Sequence, residues 1–143
     1  MQNSTVDTLN GFLRGEISAV ETYRQAIEKV NDITARTELE ICQRSHEWRV
    51  QQLKEQVQRY GGAPTQTSGA WGSFARLVEG GAKTFGDKAA ISALEEGEDH
   101  GLKLYRNDVA KLDPVARTFI ETDVIPAQER THRALSSLKH SVH

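Results

Sequence analysis

The chain has 143 residues, a formal net charge of −2 and 27% charged residues of both signs, the size of one ordinary domain. It shows no basic patch of the kind nucleic acid attracts, no block of like charge and no apolar run long enough to span a bilayer. Its single cysteine, Cys42, excludes an internal disulfide. The N-terminal MQNSTVDTLNGF lacks the basic-then-apolar pattern of a secretory signal, so one cytoplasmic domain spanning residues 1–143 is expected, with no nucleic acid bound and no membrane insertion.

Good helix formers dominate, and no alternating run of β-branched residues suggests a strand. The spacing predicts a first helix over about 4–30, with core positions at Leu9, Phe12, Leu13, Ala19, Val20, Tyr23, Ala26, Ile27 and Val30. Asn31-Asp32 ends it. A second helix runs over about 34–60 through Leu39, Cys42, Val50, Leu53, Val57 and Tyr60, and Gly61-Gly62 with Pro64 stops it. A loop follows, then a short amphipathic helix over about 71–83 carrying Trp71, Phe74, Leu77 and Val78. The third long helix is expected over about 87–112. Asp113-Pro114 then reads as an N-cap with Pro at the first helical position of a fourth helix, over about 114–139, which Pro126 should kink.

Short links within each pair make the pairs antiparallel, and the long connection from Gly61 to Gly86 can cross the length of the molecule. The expected fold is all-α: an antiparallel four-helix bundle of the ferritin-like kind, with a long crossover carrying a short fifth helix between helices two and three.

Two stretches set 82 positions apart share a pattern, GEISAVETYR at 15–24 and GEDHGLKLYR at 97–106. Glu16 and Tyr23 are seven residues apart and fall on the apolar face of their helix; Glu98 and Tyr105 repeat this. A carboxylate in a buried stripe needs a cation, a metal or a proton. In the fourth helix Glu129 and His132 stand at i, i+3, on a stripe drawn through Phe119, Thr122 and Ile125. Eighty-three residues earlier, helix two reads His46-Glu47-Trp48-Arg49.

With these residues the chain resembles the ferritin-like superfamily. LNGFLRGEISAVETYRQA is similar to the first helix of bacterioferritin- and rubrerythrin-type proteins. GGAP and GEDHGLKLYRNDVA look closer to a small bacterial ferritin-like family catalogued as a domain of unknown function. The resemblance implies two metal ions held by one Glu from each odd helix and one Glu-x-x-His from each even helix. Glu16, Glu98, Glu129 and His132 match that pattern; His46 stands where a bridging Glu is expected and Arg49 where a His is expected. Arg is a permanent cation and no metal ligand, so Arg49 is expected to replace one metal. The remaining half-site would be Glu98, Glu129 and His132 with His46, a set that suits one iron, manganese or zinc ion without choosing among them. Tyr23 and Tyr105 are expected to hydrogen-bond to the carboxylates from behind. The alternative is a metal-free helical interaction or scaffold protein with a buried salt-bridge network. The resemblance implies ferroxidase or oxygen chemistry, and Arg49 counts against it. A homodimer is expected. Trp48 points away from the stripe, so an exposed Trp48 would suggest packing against the crossover or a second subunit.

Overall fold

A computed structural model describes residues 2–67 and 86–141; the short helix expected over 71–83 lies outside the described residues. Helix α1 spans Gln2–Lys29, α2 Ile33–Arg59 and α3 Asp87–Asp108, which runs into a 3₁₀ turn at Val109–Lys111. The fourth helix has three parts: α4 (Pro114–Phe119), a π-helical turn (Ile120–Val124) and α5 (Ile125–Ser141). The fold is an all-α bundle. Among the described residues there is no strand, and no helix is long and apolar enough to cross a membrane.

Each terminus has a local chemical cause. The Asp32 carboxylate accepts from the Ala35 N–H and starts α2. The Asp113 carboxylate accepts from the Ala116 N–H ahead of Pro114, as the sequence suggests. Helix α2 ends because Gly61 takes φ +78°, open to glycine at no steric cost. The Gly62 N–H then reaches Val57 O and the Gly61 N–H reaches Gln58 O, which closes a Schellman cap. Asp87 ties the halves together: its two carboxylate oxygens accept from the Asn31 and Asp32 N–H groups, both at 2.9 Å.

The apolar interior is split in two. One cluster, around Tyr23, Val30, Leu39, Ile91, Leu94 and Leu135, fills the end near the α1–α2 link. The other, around Leu9, Leu13, Leu53, Val57, Ile120 and Val124, fills the opposite end. Between them lies a layer of buried polar side chains: Glu16, His46, Arg49, Glu98, Gln128 and Thr131.

The fourth helix departs from the expected phase. Its buried residues are Ala116, Ile120, Val124, Ala127, Gln128, Thr131, Leu135 and Leu138, whereas Thr122 is exposed. From Ala116 to Gln128 a buried position recurs every four residues, with Ala127 buried beside the last of them, against the roughly 3.6 of a regular helix. The π turn absorbs the surplus residue. A stripe drawn from Phe119 is out of step with the core from its first residue, since the buried position there is Ile120.

Candidate functional site

The polar layer is assembled from all four helices. Glu16 and Tyr23 come from α1, His46 and Arg49 from α2, Glu98 and Tyr105 from α3, Gln128 and Thr131 from α5. Because α1 and α3 run antiparallel, each repeat's tyrosine crosses to the other repeat's acid. Tyr23 donates to Glu98 Oε2 at 2.5 Å, and Tyr105 donates to Glu16 Oε2 at 2.5 Å. His46 bridges the acids, with Nδ1 at 2.5 Å from Glu16 Oε1 and Nε2 at 2.6 Å from Glu98 Oε2. The free oxygen of Glu98, Oε1, accepts from the Thr131 hydroxyl at 2.7 Å.

Arg49 is fully buried. Its Nη1 donates to Gln128 Oε1 and lies 3.5 Å from Glu16 Oε2. Its Nη2 donates to the Ser45 hydroxyl at 2.8 Å, to Thr131 Oγ1 at 3.1 Å and to Ala127 O at 3.4 Å. The Gln128 amide donates in turn to Glu98 O at 2.8 Å.

Electrostatics follow from this geometry. Carboxylates accept and do not donate, so a ring held between two of them donates from both nitrogens and is an imidazolium. Burial lowers the pKa of His46 and so does Arg49, but Glu98 and Glu16 outweigh both and raise it above its ordinary value. Burial would raise Glu16; Arg49 and His46, with hydrogen bonds from His46 and Tyr105, bring it down to about 2. Glu98 is held below its usual range against burial, chiefly by His46 and then by Arg49 and Tyr23. Burial and the neighbouring acid push both tyrosines well above the usual phenol value and keep them neutral donors. Two anions and two cations leave the layer with no formal net charge.

Six of the sequence-derived site residues meet here: Glu16, His46, Glu98 and Arg49, with Tyr23 and Tyr105 behind the acids. Glu129 and His132 do not join them. They lie on the outer side of the α3–α5 pair, and the stripe that selects them starts at Phe119, one residue off the buried Ile120. There Glu129, with its side chain 37% exposed, pairs with Arg106 at 2.8 Å, and the partly buried His132 has its Nε2 3.6 Å from Glu95 and 3.8 Å from Asp99, beyond hydrogen-bond distance of either. Gln128 and Thr131 occupy the inward positions, which the stripe through Phe119, Thr122 and Ile125 misses. The 82-residue offset that relates Glu16 to Glu98 and Tyr23 to Tyr105 also relates His46 to Gln128 and Arg49 to Thr131. Applied to the even helices, it would have found both.

Cys42 is buried in the first apolar cluster, where burial followed by the charge of Glu98 pushes its thiol up to about 12. It is a small core residue at neutral pH.

A metal pair requires lone pairs free to point at it. Here Glu16 and Glu98 give theirs to donors of the chain, both His46 nitrogens carry protons, and Arg49 has no lone pair to give. Among the described residues no group of three or more His, Cys, Asp and Glu side chains is placed to hold a metal ion. As arranged, the donors do not fit a di-metal centre. What they make is a charge-balanced polar layer to which all four helices contribute.

An all-α bundle joined through a neutral layer of buried charges is the class of protein that fold and site define. The family model described as a domain of unknown function, DUF2383, matches residues 4–111, and the chain belongs to that family. The match takes in α1, α2 and α3 with Glu16, Tyr23, His46, Arg49, Glu98 and Tyr105, and ends before α4. No curated protein and no solved structure matches the chain.

Proposed function

We propose that this chain is a metal-independent member of the ferritin-like bundles, in which the His46 imidazolium and the Arg49 guanidinium compensate the two buried acids in place of two metal ions. On this reading the layer is structural. It sets the register of the four helices, and the chain works through its outer surface as an interaction or scaffold module rather than as an oxidation catalyst. The observation that carries the reading is the bridge through His46, which leaves neither ring nitrogen available as a ligand. Buried ion pairs add little net stability over apolar packing but can enforce one arrangement over others, a suitable property for a scaffold.

Elemental analysis of protein purified without chelator, repeated after incubation with Fe(II), Mn(II) and Zn(II), tests the proposal. Substoichiometric metal throughout is expected, with an unfolding midpoint that EDTA leaves in place. A specifically bound metal at 100 times its dissociation constant adds about 2.7 kcal/mol. Such a shift, abolished in Glu98→Gln, would overturn the reading.

A further inference from the structure

We propose that Gly101 is a positioning residue of the polar layer: the space left by its missing side chain admits the Gln128 amide, and that amide holds Arg49 off Glu16. The inference rests on the reading of the layer as metal-independent and adds what decides which groups its guanidinium serves. Gly101 lies inside α3, where glycine is less favourable than alanine, and no positive φ calls for it. A Cβ at this position would stand 2.8 Å from Gln128 Nε2 and 3.5 Å from its Cδ, whereas a Cβ at Gly11 or Gly15 on α1 would meet nothing within 4 Å. Gln128 is buried, and its amide uses the gap to donate to Glu98 O at 2.8 Å. The offset of 82 sets Gly101 against Ala19 and Gln128 against His46. The half whose even helix carries the amide is thus the half whose odd helix lacks the methyl.

The amide is a strut fixed at both ends. Its nitrogen is bonded to the α3 backbone, and its oxygen accepts from Arg49 Nη1. The same Nη1 lies 3.5 Å from Glu16 Oε2, whereas a guanidinium and a carboxylate free to meet close to about 2.7–2.9 Å. Arg49 is therefore held short of direct pairing. The oxygens of Glu16 are left to closer partners, Oε1 to His46 and Oε2 to Tyr105, each at 2.5 Å. A methyl at position 101 would leave the α3 backbone where it is, because the far end of Gln128 is the group that can swing away. Swinging costs the amide both its bonds, and a buried donor or acceptor left unpaired is expensive. It also frees Arg49 to close on Glu16. Through Gln128, the gap at Gly101 controls which pairs the layer forms.

Urea unfolding of Gly101→Ala, alone and combined with Gln128→Ala, tests this against the control Gly15→Ala. The control should raise the midpoint, as alanine does at an open helix position. Gly101→Ala is expected to lower the midpoint by itself and to raise it when Gln128→Ala is also present. Such a reversal of sign measures the coupling between the two positions. A rise of equal size in both backgrounds overturns the proposal. NMR reads the strut directly, with Gln128→Ala used to assign the side-chain amide. The Gln128 amide protons should exchange slowly with water in wild type and roughly tenfold faster or more in Gly101→Ala. The His46 Nδ1–H signal, which faces Glu16, should shift more in that variant than the Nε2–H signal, which faces Glu98. Unchanged amide exchange, or an Nδ1–H signal that stays in place, overturns the proposal whatever the midpoint does. Bound metal in wild type would strike the metal-independent reading and leave the strut standing, while equal midpoint shifts in a metal-free protein would strike the strut alone.

Discussion

The two halves of the bundle carry the same acids and the same tyrosines, yet only the first half carries the cations. Glu16 and Tyr23 on α1 correspond to Glu98 and Tyr105 on α3, while His46 and Arg49 on α2 correspond to the neutral Gln128 and Thr131 on α5. The halves also differ in length. From the N-cap Asp32 to His46 is 14 residues, and from the N-cap Asp113 to Gln128 is 15. The extra residue falls in the π turn, where Ile120 to Val124 spans four positions against three from Leu39 to Cys42. A buried layer of this kind needs balanced charge, and that balance need not be shared equally between repeats. One helix can hold both cations while its counterpart contributes only hydrogen bonds.

If that asymmetry is right, matched substitutions in the two halves give unequal losses. Arg49→Met leaves the buried Glu16 and Glu98 to share the single charge of His46 and is expected to cost about 3–5 kcal/mol in urea unfolding. Thr131→Val removes the donor to Glu98 Oε1 and one of the acceptors of Arg49 Nη2 while leaving both charges compensated, and is expected to cost about half as much. Equal losses would mean that Arg49 acts only as a hydrogen-bond donor.

The pH profile separates the acids from the imidazolium. Glu16 drops from 4.5 in the unfolded chain to about 2 in the folded one. Its contribution, about 3 kcal/mol by linkage, is therefore present above 4.5 and lost as pH falls toward 2. His46 is raised above 6.5, so its contribution is present below 6.5 and lost as pH climbs through the folded value. Stability should be greatest between pH 4.5 and 6.5, and His46→Gln should remove the alkaline arm while leaving Arg49 in place. An alkaline arm unchanged in that variant would assign it to another group.

Where the halves are alike, losses should be alike. Tyr23→Phe and Tyr105→Phe each remove one donor from a buried carboxylate, and each is expected to cost about 1.5–3 kcal/mol. A large difference between them would show that the two acids are not held equivalently. The smallest effect belongs to the outer side of α5: Glu129→Gln breaks only the partly exposed pair with Arg106 and is expected to change stability by less than about 1 kcal/mol.

Much of this was legible in the sequence. The apolar spacing of α1, α2 and α3 marks the buried residues well, since those helices are regular and their acids and tyrosines keep phase with the core. The fourth helix is read less well, since its stripe of Phe119, Thr122 and Ile125 starts one residue off the buried Ile120. One extra residue turns all that follows by about 100°, and hydrophobic spacing registers a π turn poorly because Phe119 and Ile125 are partly buried too. Glu129 and His132 were selected by residue type at an offset of 83, whereas the offset of 82 set by the other repeats leads to Gln128 and Thr131. Neutral residues announce no chemistry of their own, so only position identifies them. The bridging role of His46 was likewise hidden, since it depends on the distance between α1 and α3 across α2.

The most direct measurement is the protonation of the His46 ring by ¹⁵N NMR at pH 7, with His46→Gln used for assignment. Two protonated ring nitrogens, unmoved by Zn(II) or Fe(II), are the predicted result. A neutral ring with one bare nitrogen, or one whose proton is displaced by added metal, would contradict the account.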